Sequence, residues 1–190
     1  GAPASPTPLS GLLDIDLGMH RTGVAPGEEA VALYRSVAAS PRLQPAGLHA
    51  YDGHDHLAEP QEREAAAQAH VEALRGLAAR LTAAGLPAPI VVGGGSFSFV
   101  AYARAEGMYG SPGTNVYWDW GYGRQMADLP FRFAAAVLTQ VVDCHPSTQT
   151  VTTDLGYKAI CGDPPLASRA LLLGHRQAQL QLQNAEHGVF

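Results

Sequence analysis

The chain has 190 residues, 46% of them hydrophobic and 15% charged, which is enough apolar material for a packed core and too little charge for a disordered segment. A net charge of -5, with 12 basic residues of which only Lys158 is a lysine, argues against nucleic acid or an anionic membrane surface as a partner. No apolar run approaches ~18 residues, which excludes a transmembrane helix, and two cysteines, Cys144 and Cys161, allow no dense disulfide framework, so a reducing cytoplasm is the expected compartment.

Short apolar runs alternate with helical stretches. Residues 12–17 predict a buried strand that stops at Gly18. Pro26 and the carboxylates of Glu28 and Glu29 then open a helix to about Ser40, because proline and negative charge both suit a helix amino end. A second strand is predicted over 43–51 and a long helix over 61–84, with Gly85 in the position that terminates it. A third strand over 89–92 runs into Gly93, Gly94, Gly95 and Ser96, a short helix is predicted over 97–106, and a fourth strand over 115–118. This strand, loop, helix rhythm implies parallel strands with crossover helices. Four units make half of an eight-stranded barrel, or a small open sheet.

The composition changes after Met126. Residues 134–142 predict a strand, 149–155 are rich in Thr and Val, and further apolar runs follow at 171–173 and 178–182, with little helix. We therefore divide the chain into 1–128 and a β-rich part over 129–190. Both ends interrupt patterned segments, so the chain is expected to be an internal piece of a longer protein.

Four strand-end segments carry candidate chemistry. Gly94, Gly95 and Ser96 lie between a strand and a helix, where a side-chain-free backbone and exposed N–H groups suit a phosphate, although such glycines also make plain turns. Gly113 and Thr114, after Pro112, form a turn whose amides suit an anion in the same way. Arg21, between Gly18 and Gly23, offers a guanidinium to a carboxylate, phosphate or phenolate, or pairs with Asp14 or Asp16. Tyr51, Asp52, His54, Asp55 and His56 cluster at the end of the second strand. Tyr51 and His54 are pocket candidates there. A metal held by His54 and His56 is disfavoured, because alternate residues of an extended segment face opposite ways. His20, His70, His145, His175 and His187 are each read as surface or satisfied core residues.

Taken in order, DIDLGMHRTGV at 14–24, GLHAYDGH at 47–54, VVGGGSFSF at 91–99, SPGTNVYWD at 111–119, TVTTDLGYKAI at 150–160 and the final EHG at 186–188 resemble the alanine-racemase-like pyridoxal-phosphate enzymes, in their D-threonine aldolase and D-serine dehydratase branch. The resemblance implies an α/β fold, the second half of a (β/α)8 TIM-type barrel over 1–128 followed by the start of a β-rich domain over 129–190. It implies pyridoxal 5'-phosphate as cofactor, with Gly94, Gly95, Ser96, Gly113 and Thr114 on its phosphate, Tyr51 against its ring and Arg21 beside it. His54 becomes a pocket residue assisting proton transfer. The Schiff-base lysine of the family belongs to a barrel strand that this sequence does not include, and Lys158 does not occupy that place. The family's zinc or manganese ligands also fall outside, and Ser111 stands where the racemases have an arginine on the pyridine nitrogen.

The resemblance therefore implies a parent enzyme that cleaves β-hydroxy-D-amino acids to glycine and an aldehyde, with this piece inactive by itself. D-Serine dehydration and racemisation are the alternatives, and a pyridoxal-phosphate-handling protein is the non-enzymatic one. It also implies a D-amino acid as the small-molecule partner and a homodimer.

Overall fold

The computed structural model describes residues 7–190, so the first six residues of the domain expected over 1–128 lie outside it. The chain forms two compact units, divided between Gly113 and Thr114, earlier than the composition change suggests. The first contains four parallel strands, β1 (Leu9–Ile15), β2 (Leu43–Ala50), β3 (Ile90–Gly93) and β4 (Tyr109–Gly110), in that spatial order. Helices α1 (Glu28–Ala38), α2 (Pro60–Ala83) and α3 (Phe99–Arg104) connect them. Sequential order in a parallel sheet is the arrangement of a barrel wall, as expected.

The elements form for identifiable reasons. Helix α1 carries Glu28 and Glu29 in its first turn, and α2 has Pro60 in its first turn and Arg80 in its last. The left-handed conformation that ends α2 falls on Gly85, with φ of +73°. The buried residues of α2, Ala67, Val71, Leu74, Leu77 and Leu81, recur at three- and four-residue spacing and so line one face. They pack with Ile15, Val31, Tyr34, Leu48 and Tyr102 into one core. Strand register pairs Leu13 with Leu48 and Ile15 with Ala50, toward those helices. Asp14 pairs with His49, and His49 with Val92, one residue out of phase and hence on the opposite face.

The fourth strand differs from expectation. Residues 115–118 form no strand. A 3-10 turn occupies Thr114–Val116, where the Thr114 carbonyl accepts from the Tyr117 and Trp118 amides. The strand that pairs with β3 is Tyr109–Gly110, too short to leave a two-residue period in the sequence. The Ser111–Gly113 segment therefore follows the fourth strand, at the same end of the sheet as the other three candidate loops.

The second unit, Thr114–Phe190, begins with that turn and α4 (Trp120–Gln125). An antiparallel sheet follows, in the order β5 (Val141–His145), β6 (Thr150–Thr153), β8 (Gly188–Val189), β7 (Leu182–Gln183). Leu155, Leu180 and Phe190 form its small core. The strand expected over 134–142 is restricted to its last residues: 134–140 carries no ladder, and Leu138 is 98% exposed. Nor do 171–173 form a strand. Those leucines line a cavity of about 620 Å³ together with Trp118, Trp120 and Phe133.

Candidate functional site

Because the four strands are parallel, the loops that follow them share one end of the sheet, which is where barrel enzymes place their chemistry. The loop after β1 turns back on its own strand: the Asp16 amide donates to the Val24 carbonyl and the Val24 amide to that of Asp14. Asp16 caps the turn, its Oδ1 accepting from the amides of Gly18 (2.9 Å) and His20 (3.0 Å). Those amides, His20's first, draw the Asp16 carboxyl down to about 2. Asp14 accepts from His49 Nδ1 (2.8 Å) and from the Thr22 hydroxyl (2.7 Å). Both carboxylates considered as partners for Arg21 are thus engaged by others. The Arg21 guanidinium lies instead over the Tyr51 ring, 4.9 Å from its centroid.

Tyr51 directly follows β2 and is half-buried. The glycine run packs against it: a methyl group on Gly95 would stand 2.9 Å from Tyr51 Cε2, so only glycine lets the backbone approach the ring this closely. Gly94, Gly95 and Ser96 are all buried. The loop after β4 joins the run through Ser111, whose amide donates to the Gly93 carbonyl (3.1 Å) and whose hydroxyl donates to that of Gly94 (3.2 Å). Arg21, Tyr51, Gly94, Gly95 and Ser96 therefore belong to strand-end loops of one unit. Gly113 closes that unit, and Thr114 opens the next.

Beneath the glycine run lies a polar core that the sequence reading passed over. Asp52 is 2% exposed. Its Oδ1 accepts from the Gly95 amide (2.8 Å) and the Ser98 hydroxyl (2.7 Å), and its Oδ2 from the Tyr102 hydroxyl (3.0 Å). Burial by itself would raise the Asp52 carboxyl; the nearby His70 imidazole and these donors outweigh it and hold the carboxyl below its ordinary value. The Tyr102 phenol is pushed up, first by burial and then by the Asp52 charge. The Gly95 N–H thus points inward and fixes the turn. The segment preceding α2 is fixed in turn by Arg63, whose Nη1 donates to the carbonyls of Leu57 (3.0 Å) and Ala58 (3.2 Å).

His54 and His56 diverge, as alternate residues should. His56 meets Phe97 edge-on at 4.7 Å, whereas His54 turns toward His70, with ring centroids 6.0 Å apart. His70, read from the sequence as a surface or satisfied core residue, is mostly buried, with Nδ1 3.6 Å from Asp52 Oδ2 and 3.5 Å from Asp55 Oδ2 and no hydrogen bond of ordinary geometry. The Asp52 carboxylate raises the His70 imidazole above its ordinary value, against the opposing effect of burial. Asp52, Ser98, His70 and Tyr102 thus support the candidate loops from beneath, an arrangement that only the Tyr51–His54 cluster hinted at. Lys158 is exposed and ion-paired with Glu186 in the second unit.

Residues 2–119 match the family model of the alanine racemase N-terminal domain. The chain belongs to that family. It is 28% identical over 193 residues to a 3-hydroxy-D-aspartate aldolase of Paracoccus denitrificans (strain Pd 1222), covering 96% of this chain and 49% of that protein. It is likewise 28% identical over 185 residues to a D-threonine aldolase of an Arthrobacter species, covering 94% and 47%. The crystal structure of D-threonine aldolase from Filomicrobium marinum superposes with a TM-score of 0.84 at 28% identity, covering 96% of this chain and 50% of that one. The chain thus spans about half the length of the relatives it matches. The fold class stands as expected: an α/β partial barrel followed by a β-rich unit, as in this family.

Proposed function

We propose that the protein carrying this chain is a pyridoxal-phosphate-dependent lyase acting on β-hydroxy-D-amino acids, most simply an aldolase that releases glycine and an aldehyde. The observation that carries the reading is the convergence of Arg21, Tyr51 and the buried glycine run at the carboxyl end of the barrel strands. The 28% identity to two D-amino-acid aldolases supports it.

The residues present fit the cofactor. Tyr51 offers an aromatic face, and the glycine run presents backbone without side chains beside that ring. Gly94 and Ser96 are assigned to the phosphate. Gly95 contributes close approach, since its N–H is held by Asp52. Gly113 and Thr114 are assigned to the phosphate by family resemblance alone. Arg21 supplies a fixed cation beside Tyr51, suited to an anionic oxygen of cofactor or substrate. When bound, the cofactor supplies an electron sink for the pair left on Cα as the Cα–Cβ bond breaks. A base takes the β-hydroxyl proton, Cβ leaves as the aldehyde, and Cα regains a proton as glycine. His54 is left out of this set because its imidazole turns toward Asp55 and His70. The Schiff-base lysine and a zinc or manganese site on the substrate hydroxyl are assigned to the parent protein outside this chain. The same resemblance carries a cytoplasmic homodimer.

The test uses the full-length parent. Pyridoxal phosphate should give a visible absorption band that borohydride bleaches. D-Threonine should then yield glycine and acetaldehyde, or 3-hydroxy-D-aspartate glycine and glyoxylate. Absence of the band overturns the cofactor assignment. Pyruvate and ammonia from D-serine, with no aldehyde from either substrate, reassigns the enzyme as a dehydratase.

A further inference from the structure

His54, Asp55 and His70 stand together below the glycine run, on the loop after β2 and on α2. His54 Nε2 lies 3.4 Å from Asp55 Oδ1, and His70 Nδ1 lies 3.5 Å from Asp55 Oδ2 and 3.6 Å from Asp52 Oδ2. One ligand atom from each of His54, Asp55 and His70 falls within 4.8 Å of the others. Imidazole nitrogen and carboxylate oxygen joined by a good hydrogen bond stand about 2.7–2.9 Å apart. The separations here are longer, and the buried His70 Nδ1 makes no hydrogen bond. Two atoms bound tetrahedrally to one ion at about 2.1 Å lie about 3.4 Å from each other, so three ligand atoms within 4.8 Å need only a small inward shift to share an ion.

We propose that His54, Asp55 and His70 form a structural binding site for a divalent transition metal of the zinc class, with Asp52 behind it linking the ion to the glycine run. Two neutral imidazoles and a carboxylate are a donor set suited to zinc. The charges of Asp52 and Asp55 favour a dication over a proton shared by one imidazole. His54, with a side chain 30% exposed, is the ligand on the solvent side and the one with freedom to rotate inward. The ion would tie the loop after β2 to α2. Asp52, which shares that loop and holds Gly95 and Ser98, carries this order to the turn above. The site is separate from the metal expected elsewhere in the parent, and it removes His54 from proton transfer.

The experiment strips the full-length parent with a chelator, reloads it with zinc, removes excess by gel filtration and counts metal per chain by mass spectrometry. Wild type is compared with His70→Ala, His54→Gln and Asp55→Asn, each checked by circular dichroism. Each folded variant should hold one zinc fewer per chain than wild type, and zinc should raise the Tm of each less than that of wild type. Equal zinc content in wild type and variants overturns the site. His54→Gln and Asp55→Asn alter partly exposed loop residues, so they decide the matter if His70→Ala does not fold. The count needs neither cofactor nor substrate, so it stands or falls apart from the proposed lyase activity.

Discussion

Asp52 holds the turn that the glycine motif forms. Three donors, 43 to 50 residues distant in sequence, converge on its carboxylate. Replacing it with alanine strands the Ser98 and Tyr102 hydroxyls and leaves the Gly95 amide only its longer bond to Ser98 Oγ (3.1 Å), and each buried donor left without a partner costs about 1–3 kcal/mol. Asp52→Ala should therefore lower the unfolding free energy by at least about 2 kcal/mol in urea titration, whereas Tyr102→Phe, which removes one donor together with its need, should cost only about 1 kcal/mol. A loss below about 1 kcal/mol in Asp52→Ala would contradict this account. The sequence brought Asp52 to view only as a neighbour of Tyr51, because hydrogen-bond partners so distant leave no local pattern.

Asp16 makes a different kind of prediction. Its folded value of about 2 lies below the ordinary 3.8, so its contribution is fully present above pH 3.8 and disappears as pH falls through about 2. The loop after β1 should keep its capped conformation at pH 3.5. An NMR titration should place the Asp16 carboxyl midpoint near 2; a midpoint at or above 3.8 would show that the Gly18 and His20 amides do not cap it.

At the scale of elements, α2 was readable because its period and its stop signals agree. The apolar spacing from Ala67 to Leu81 defines a face, and Gly85 follows where the helix must end. That face meets the sheet, so its cost of disruption is that of a core. Leu74, with no exposed surface, should lose about 2–5 kcal/mol when cut to alanine, while the exposed Glu72→Ala should change stability by less than about 0.5 kcal/mol. Denaturant midpoints at unchanged slope would measure both. Strand β4 was unreadable for the opposite reason. Two residues, Tyr109 and Gly110, cannot display alternation, and their strand character comes from pairing with Val92 and Gly93. The run at 115–118 has the composition of a strand, but its backbone turns instead, the Thr114 carbonyl taking the Tyr117 and Trp118 amides.

On the scale of the whole molecule, β1 has no partner strand on its outer edge among the described residues, and Leu9 and Leu43 are exposed there at 72% and 41%. An exposed apolar edge is a place where further strands pair, in keeping with a chain that spans half the length of its relatives. Hydrophobic period, helix stop signals and glycine placement determined the parallel α/β organisation and the order of the strand-end loops, because each is a local property of the backbone, while the family rested on the resemblance of the motifs. Tertiary structure alone decided what those loops do to one another. It took Asp14 and Asp16 away from Arg21, laid that guanidinium on Tyr51, turned the Gly95 amide inward to Asp52, and set His70 against a carboxylate 15 positions earlier in the chain. These are pairings between residues that the fold, not their spacing, brings within a few ångströms.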